Sequence, residues 1–205
     1  MSAPDVGDPK LAPLVARTEG LQPWRRVFHA ANGLVIAGAL ALLEPSRELA
    51  AGFLALLAAG LFALDLVRLG HSGANRLFFT LLRPFASPRE AAGIASSTWY
   101  IVGCLFAVAL FPPEIAIASI LVLAIADPLA SYIGRRWGRI PFGTGTVEGT
   151  AVFALTAFAL LALQVPPGPA AGAALSTALL ERAPWPLDDN LVIPVTAGTA
   201  LVLLL

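Results

Sequence analysis

The chain has 205 residues, of which 58% are hydrophobic and only 13% charged, about half the charged share of an average soluble domain. Thirteen basic and thirteen acidic residues cancel to a formal net charge of zero, which leaves no basic footprint of the kind a nucleic-acid binder needs. The single cysteine, Cys104, excludes an internal disulfide and a cysteine metal cluster and reads as a small packing residue.

Residues 1–24 are expected to be a cytoplasmic tail. Pro4, Pro9, Pro13 and Pro23 interrupt them, and they lack the apolar core of a signal peptide; a loose tail or short surface helix fits. Residues 25–205 are expected to form one membrane-embedded domain. Seven apolar segments follow, at 27–43, 49–66, 91–111, 115–133, 147–165, 170–180 and 191–205. Most are long enough to cross a hydrocarbon layer of about 30 Å at about 1.5 Å per residue, and the sixth is short. At 72–86, Leu77, Phe78, Leu81, Leu82 and Phe85 recur at helical spacing among Asn75, Arg76 and Arg83, the pattern of an amphipathic helix lying at the interface. Pro112-Pro113 and Pro166-Pro167-Gly168-Pro169 mark tight loops, because proline cannot continue a helix. The expected fold is therefore all-α: a polytopic integral membrane protein of about seven transmembrane helices plus an interfacial amphipathic helix.

The basic residues set the orientation. Lys10, Arg17, Arg25 and Arg26 precede the first segment, Arg68, Arg76, Arg83 and Arg89 follow the second, Arg135, Arg136 and Arg139 follow the fourth, and Arg182 follows the sixth. Only Arg47 falls in an alternate loop. By the positive-inside rule the N-terminus is cytoplasmic, and the polar clusters face the compartment that holds nucleoside triphosphates.

Those clusters carry the candidate chemistry. Arg25, His29 and Asn32 form one stripe at the start of the first segment, where a membrane histidine is either a functional group or a hydrogen-bonded packing residue. Asp65 lies three residues before Arg68, a spacing that suits a local ion pair, and Asn75, Arg76 and Glu90 follow. Asp127, Ser131 and Arg135 are four apart on one helical face. A carboxylate there is costly unless it is paired, hydrated or metal-bound. Arg135, Arg136 and Arg139 offer guanidinium forks for phosphate, and Gly143-Thr144-Gly145-Thr146 offers backbone N–H groups and hydroxyls. Val147-Glu148-Gly149 then opens a helix whose positive end favours anions. Glu148 suits either a Mg²⁺ ion or the helix cap. Asp188-Asp189-Asn190 reads as a helix cap or as a pair of hard-metal ligands.

The run from Asp127 to Arg139, followed by Thr146-Val147-Glu148-Gly149, resembles the signature of the polyprenol, dolichol and phytol kinases and the CTP-dependent diacylglycerol kinases. Arg25-Arg26-Val27-Phe28-His29, the series Asp65, Arg68, Asn75 and Glu90, and the motif Asp188 to Pro194 extend the resemblance over most of the chain. One departure stands out: Gly145-Thr146 occupies the place where the family has Lys-Ser, and the only lysine is Lys10. The resemblance implies phosphoryl transfer from CTP to a lipid alcohol in the bilayer, with Mg²⁺ as cofactor. It implies Mg²⁺–triphosphate binding by Asp127, Glu148 and Asp189, phosphate contacts from Ser131, Arg135, Arg136, Arg139 and Gly143 to Thr146, and a nucleotide or metal contact from Asn190. Asp65 is the first choice to orient or deprotonate the lipid hydroxyl, with His29 second. The phosphatidate cytidylyltransferases share the aspartate-to-glutamate stretch and are the nearest rival. A small transporter or scaffold is the non-enzymic rival, although such a protein is expected to place polar residues near mid-membrane.

Overall fold

The computed structural model describes residues 8–184 and 186–205. The chain is almost wholly helical: α1 (Ala12–Ala16), α2 (Pro23–Leu43), α3 (Arg47–Gly70), α4 (Ser72–Leu81), a 3₁₀ turn (Pro88–Ala91), α5 (Ser96–Leu110), α6 (Pro113–Leu121), a π turn (Val122–Ala126), α7 (Asp127–Trp137), α8 (Val147–Leu161), α9 (Pro167–Glu181) and α10 (Asp189–Leu204). A two-stranded hairpin, β1 (Pro141–Phe142) against β2 (Gly145–Thr146), precedes α8 and was not anticipated.

Each apolar segment expected from the sequence contains or overlaps a helix. The fifth ends early, at Leu161, and the third starts late, because residues 88–95 form the 3₁₀ turn and a loop. The fourth segment, 115–133, lies within one helical run, Pro113–Trp137. Among the described residues three helices are long and apolar enough to cross a membrane, namely Pro23–Leu43, Arg47–Gly70 and Pro113–Trp137. α5, α8 and α9 have 15 residues each and α10 has 16, so each spans only about 23 Å at about 1.5 Å per residue.

Small residues hold the bundle together. Ala107, Ala126, Ala157, Ala170, Ala173 and Ala197 are fully buried where α5 to α10 meet, and such side chains let helix backbones approach closely. α10 packs on α9 and α5, α3 on α5, and α8 on α7 and α9. Large apolar residues point the other way: Leu42 is 85% exposed, Leu56 75% and Leu163 85%. An outward apolar surface around a core of alanines is the pattern of a bundle solvated by lipid.

Two prolines shape the helices that carry polar residues. Pro128 lacks an N–H and its ring crowds the preceding turn; the π turn directly before it takes up that disruption. Pro194 lies inside α10 and leaves the Asn190 carbonyl without its helical donor. Gly103 of α5 faces that carbonyl, and a Cβ at this position would collide with the Asn190 oxygen.

The loop from 88 to 95 is pinned from beneath by a buried polar network. The Arg68 guanidinium donates to Asp65 Oδ1 (2.6 Å), Asn75 Oδ1 (3.1 Å), the Glu90 carbonyl (2.6 Å) and the Gly93 carbonyl (2.6 Å). Its carbon also lies 4.4 Å from the Phe78 ring centroid. Asp65 Oδ2 accepts from the Ala95 N–H (3.0 Å) and the Thr98 hydroxyl (2.6 Å). Asn75 donates to the Ala91 carbonyl at 2.9 Å. Glu90 closes a capping box with Ser87 and accepts from the Ser96 N–H at 3.2 Å. On the outer side, α1 seats Leu11 and Val15 against Phe79, Ala86 and Ala91, and Arg76 pairs with Asp8 at 3.1 Å. The N-terminal segment from residue 8 is thus packed on α4; residues 1–7 of the expected tail lie outside the described residues.

Gly103→Val should lower stability by about 1–3 kcal/mol, the usual cost of overpacking. Gly38→Ala, at a helical glycine with nothing within 4 Å, should be neutral or stabilising by up to about 1 kcal/mol. Thermal unfolding of both variants in detergent micelles checks this pair; equal midpoints would contradict the close approach of α5 to α10.

Candidate functional site

A cavity of about 800 Å³ opens where α7 emerges from the bundle and α8 and α10 begin. Asp127, Ser131 and Arg135 of α7 form one wall. Thr144, Gly145 and Thr146 of the hairpin, Glu181 and Arg182 at the end of α9, Asp188 and Asp189 at the start of α10, and Arg89 of the pinned loop complete it. A smaller chamber of about 130 Å³ adjoins and shares Arg89, Asp127, Ser131, Arg135, Asp188 and Asp189. It adds Arg25, Arg26 and His29 from α2, Glu90, Ser96 and Asn190.

Local chemistry explains each placement. The π turn and Pro128 present Asp127 at the start of α7. Thr146 caps α8, its hydroxyl accepting from the Gly149 N–H at 3.2 Å. Gly143 turns the hairpin with φ +55°, a left-handed conformation that glycine adopts without steric cost. It packs on the Arg182 carbonyl, which accepts from the Thr144 N–H at 3.1 Å. At Gly145 a Cβ would collide with the Arg182 guanidinium. The hairpin glycines therefore seat Arg182. Asp188 caps α10, accepting from the Asn190 N–H (3.0 Å) and its side-chain amide (2.6 Å).

Charge in this region is incompletely paired. Arg26 donates to the Ser131 hydroxyl at 3.0 Å and Arg25 to the Ser96 hydroxyl at 2.7 Å. Yet Arg25 Nε, Arg26 Nε and Nη1, and Arg182 Nε are buried without any hydrogen-bond partner. Arg182 lies 2.9 Å from Glu181 Oε2, but that oxygen receives no well-oriented hydrogen bond. Asp127 and Asp189 have no hydrogen-bond or ion-pair partner among the described residues. Buried donors left without an acceptor cost about 1–3 kcal/mol each. A ligand with many acceptor oxygens would satisfy the guanidinium donors.

The structure gathers most of the residues singled out from the sequence, but not all. Asp127, Ser131, Arg135, Thr144, Gly145, Thr146, Asp188 and Asp189 line the main cavity, and Arg25, His29, Glu90 and Asn190 line the chamber beside it. Asp65, the first choice as base, lines neither; both its oxygens are taken by Arg68, Ala95 and Thr98, and it is 3% exposed. Arg68 and Asn75 belong to the same buried network. Glu148 turns away from the cavity and accepts from the Arg139 N–H (2.9 Å) and the Ile140 N–H (3.4 Å), so its position is that of a loop strut. Arg136 and Arg139 are exposed, Arg136 beside Trp137, and neither they nor Gly143 line the cavity. Four charged lining residues were missed as site residues: Arg26, Arg89, Glu181 and Arg182. Arg89 and Arg182 had served only as orientation signals, Arg26 also as part of a matched motif without a role of its own, and a carboxylate in the last turn of an apolar helix was the available signal for Glu181.

Comparison with known proteins finds relatives of one kind. The CTP-dependent diacylglycerol kinase 1 of Schizosaccharomyces pombe is 28% identical over 165 residues, 70% of this chain and 76% of that protein. The CTP-dependent diacylglycerol kinase 1 of Saccharomyces cerevisiae is 30% identical over 80 residues, 39% of this chain and 28% of that protein. The protein of the same name from Eremothecium gossypii is 27% identical over 120 residues, 57% of this chain and 36% of that protein. The match thus spans about three quarters of the first relative and about a third of the other two. No family model and no solved structure matches the chain. The resemblance read from the motifs, and the enzyme class it implied, a phosphotransferase, are borne out by these relatives.

Asp65→Asn should lower the unfolding midpoint in detergent, since losing one partner of a buried pair costs about 3–5 kcal/mol. Any turnover that survives should keep its pH profile. A folded variant with normal stability and a displaced pH profile would restore Asp65 as a base.

Proposed function

We propose that the chain transfers the terminal phosphoryl group of CTP to the hydroxyl of a lipid alcohol, of the diacylglycerol class, at the cytoplasmic membrane face. The supporting observation is the shared cavity itself: Asp127 and Asp189 stand unpaired beside Arg25, Arg26 and Arg182, whose buried N–H groups lack acceptors. The names of the three relatives supply the donor and the acceptor class. Seven crossings, with the basic loops inside, keep this rim in the compartment that holds nucleotides.

In this reading Arg25, Arg26, Arg89, Arg135 and Arg182 hold phosphate oxygens, with Thr144 and Thr146 adding hydroxyl contacts. Arg182, seated by the hairpin glycines, supplies the positive charge that the family places on the lysine absent before Thr146. Asp127 and Asp189 would hold Mg²⁺. Among the described residues no group of three or more histidine, cysteine or carboxylate side chains is gathered for a metal. That fits Mg²⁺, which takes one or two carboxylates and completes its shell with water and phosphate oxygens. When bound, the ion neutralises charge on the triphosphate.

His29 lines the chamber beside Asp127 and has no hydrogen-bond partner among the described residues. It is placed to take the proton of the attacking hydroxyl. The lipid oxygen then bonds to the terminal phosphorus, the bridging P–O bond breaks, and CDP leaves with the electron pair. Alignment and charge neutralisation account for most of the acceleration in such transfers.

Asp127→Asn should abolish lipid phosphorylation, measured with radiolabelled CTP and diacylglycerol, while leaving membrane insertion and thermal stability intact. Near-normal turnover in the folded variant would remove Asp127 from the site. Glu148→Gln should leave the Mg²⁺ titration of activity unchanged, because its carboxylate holds the Arg139–Ile140 turn; a shifted metal dependence would return Glu148 to the metal site.

A further inference from the structure

A second cavity, of about 520 Å³, lies between α2, α3, α4 and α5, and its walls are overwhelmingly apolar. Val35, Phe53, Leu57, Phe78 and Phe85 line it, and Phe53 is 66% exposed at its outer edge, so the groove opens sideways from the bundle. Its inner end is polar. His29 and Glu90 belong both to this groove and to the chamber that holds Asp127. Asn32, Ser97 and Tyr100 stand beside them.

Asn32 and Ser97 are half-buried and have no hydrogen-bond partner among the described residues. The Tyr100 ring meets the His29 ring edge-on with centroids 5.2 Å apart, while its buried hydroxyl lies inward against Gly33 of α2. Unpartnered donors at the head of an apolar groove call for acceptor oxygens on an otherwise hydrophobic ligand.

We infer that this groove is the acceptor-lipid site: it holds an acyl chain of diacylglycerol between α2, α3 and the 77–86 segment, with the free hydroxyl at His29 and the ester carbonyls facing Asn32 and Ser97. The inference rests on the lipid-kinase reading above and adds the location and the feature recognised. Amide and hydroxyl donors suit ester carbonyls. A polyprenol has the hydroxyl and the tail but no such acceptors. Lateral opening lets the tail stay in hydrocarbon while only the head of the lipid enters the polar chamber, which avoids the cost of moving a long chain into water.

The test uses the full chain in nanodiscs with a diacylglycerol that bears a diazirine on one acyl chain, followed by peptide mapping. Crosslinks should concentrate on α2, α3 and the 77–86 segment, and unlabelled diacylglycerol should suppress them. Labelling spread over outward residues such as Leu42, Leu155 and Leu163 would mean bulk bilayer contact only and would overturn the inference. Suppression by a polyprenol as effective as by diacylglycerol would overturn the ester-reading part. As a second arm, Leu57→Trp should fill the groove and raise KM for long-chain diacylglycerol about tenfold with little change in kcat. An unchanged KM would also overturn the proposal. Mg²⁺–CTP binding, measured separately on the same samples, tells the two readings apart. Groove labelling without nucleotide binding sinks the kinase reading, whereas lipid phosphorylation without groove labelling sinks this inference alone.

Discussion

The architecture of the polar rim depends on one guanidinium. Arg68 is 5% exposed, and three of its four acceptors come from other segments of the chain. Two of those acceptors are backbone carbonyls of the 88–95 loop, a stretch that lacks the internal bonding of a full helix. A charge buried there is tolerable only because Asp65 neutralises it and each of the three guanidinium nitrogens finds an acceptor. From the loop so fixed hang Arg89 and Ile94, which wall both chambers, and Glu90, which walls the smaller one together with Ser96 at the start of α5. Satisfied polar groups below the site thus hold unsatisfied ones within it.

That contrast separates two roles that look alike in a sequence. Asp65 and Arg68 are three apart on α3, and Asp127 and Arg135 are eight apart on α7. The first pair is saturated by hydrogen bonds. In the second, Asp127 meets no donor among the described residues, and Arg135 reaches only the Gly20 carbonyl, at 3.2 Å. Unmet bonding capacity, not charge, marks the region able to take a ligand.

Much of this was legible in the chain. Apolar blocks located every long helix, because burial in lipid demands continuous hydrophobicity. The Asp127, Ser131, Arg135 stripe followed from helical spacing alone. The Asp65 and Glu148 assignments depended instead on where a side chain points after tertiary packing. Asp65 was captured by a loop 30 residues away, and Glu148 by the turn just before its own helix. Neither partner leaves a periodic trace. Arg182 reaches the cavity because the hairpin glycines Gly143 and Gly145 admit it, a relation between two distant segments that spacing within either one does not reveal.

The π turn at Val122–Ala126 carries a consequence for how this helix can vary. A π turn accommodates one residue more than an α-helix of the same rise, so everything after it is phased by that surplus. Each residue advances the helix by about 100°. Deleting a single position upstream of Asp127 would therefore swing its carboxylate around the axis while leaving composition, hydropathy and the downstream motif untouched. The direction in which Asp127 faces is tied to the count of residues between Pro113 and Asp127 as firmly as to their identity.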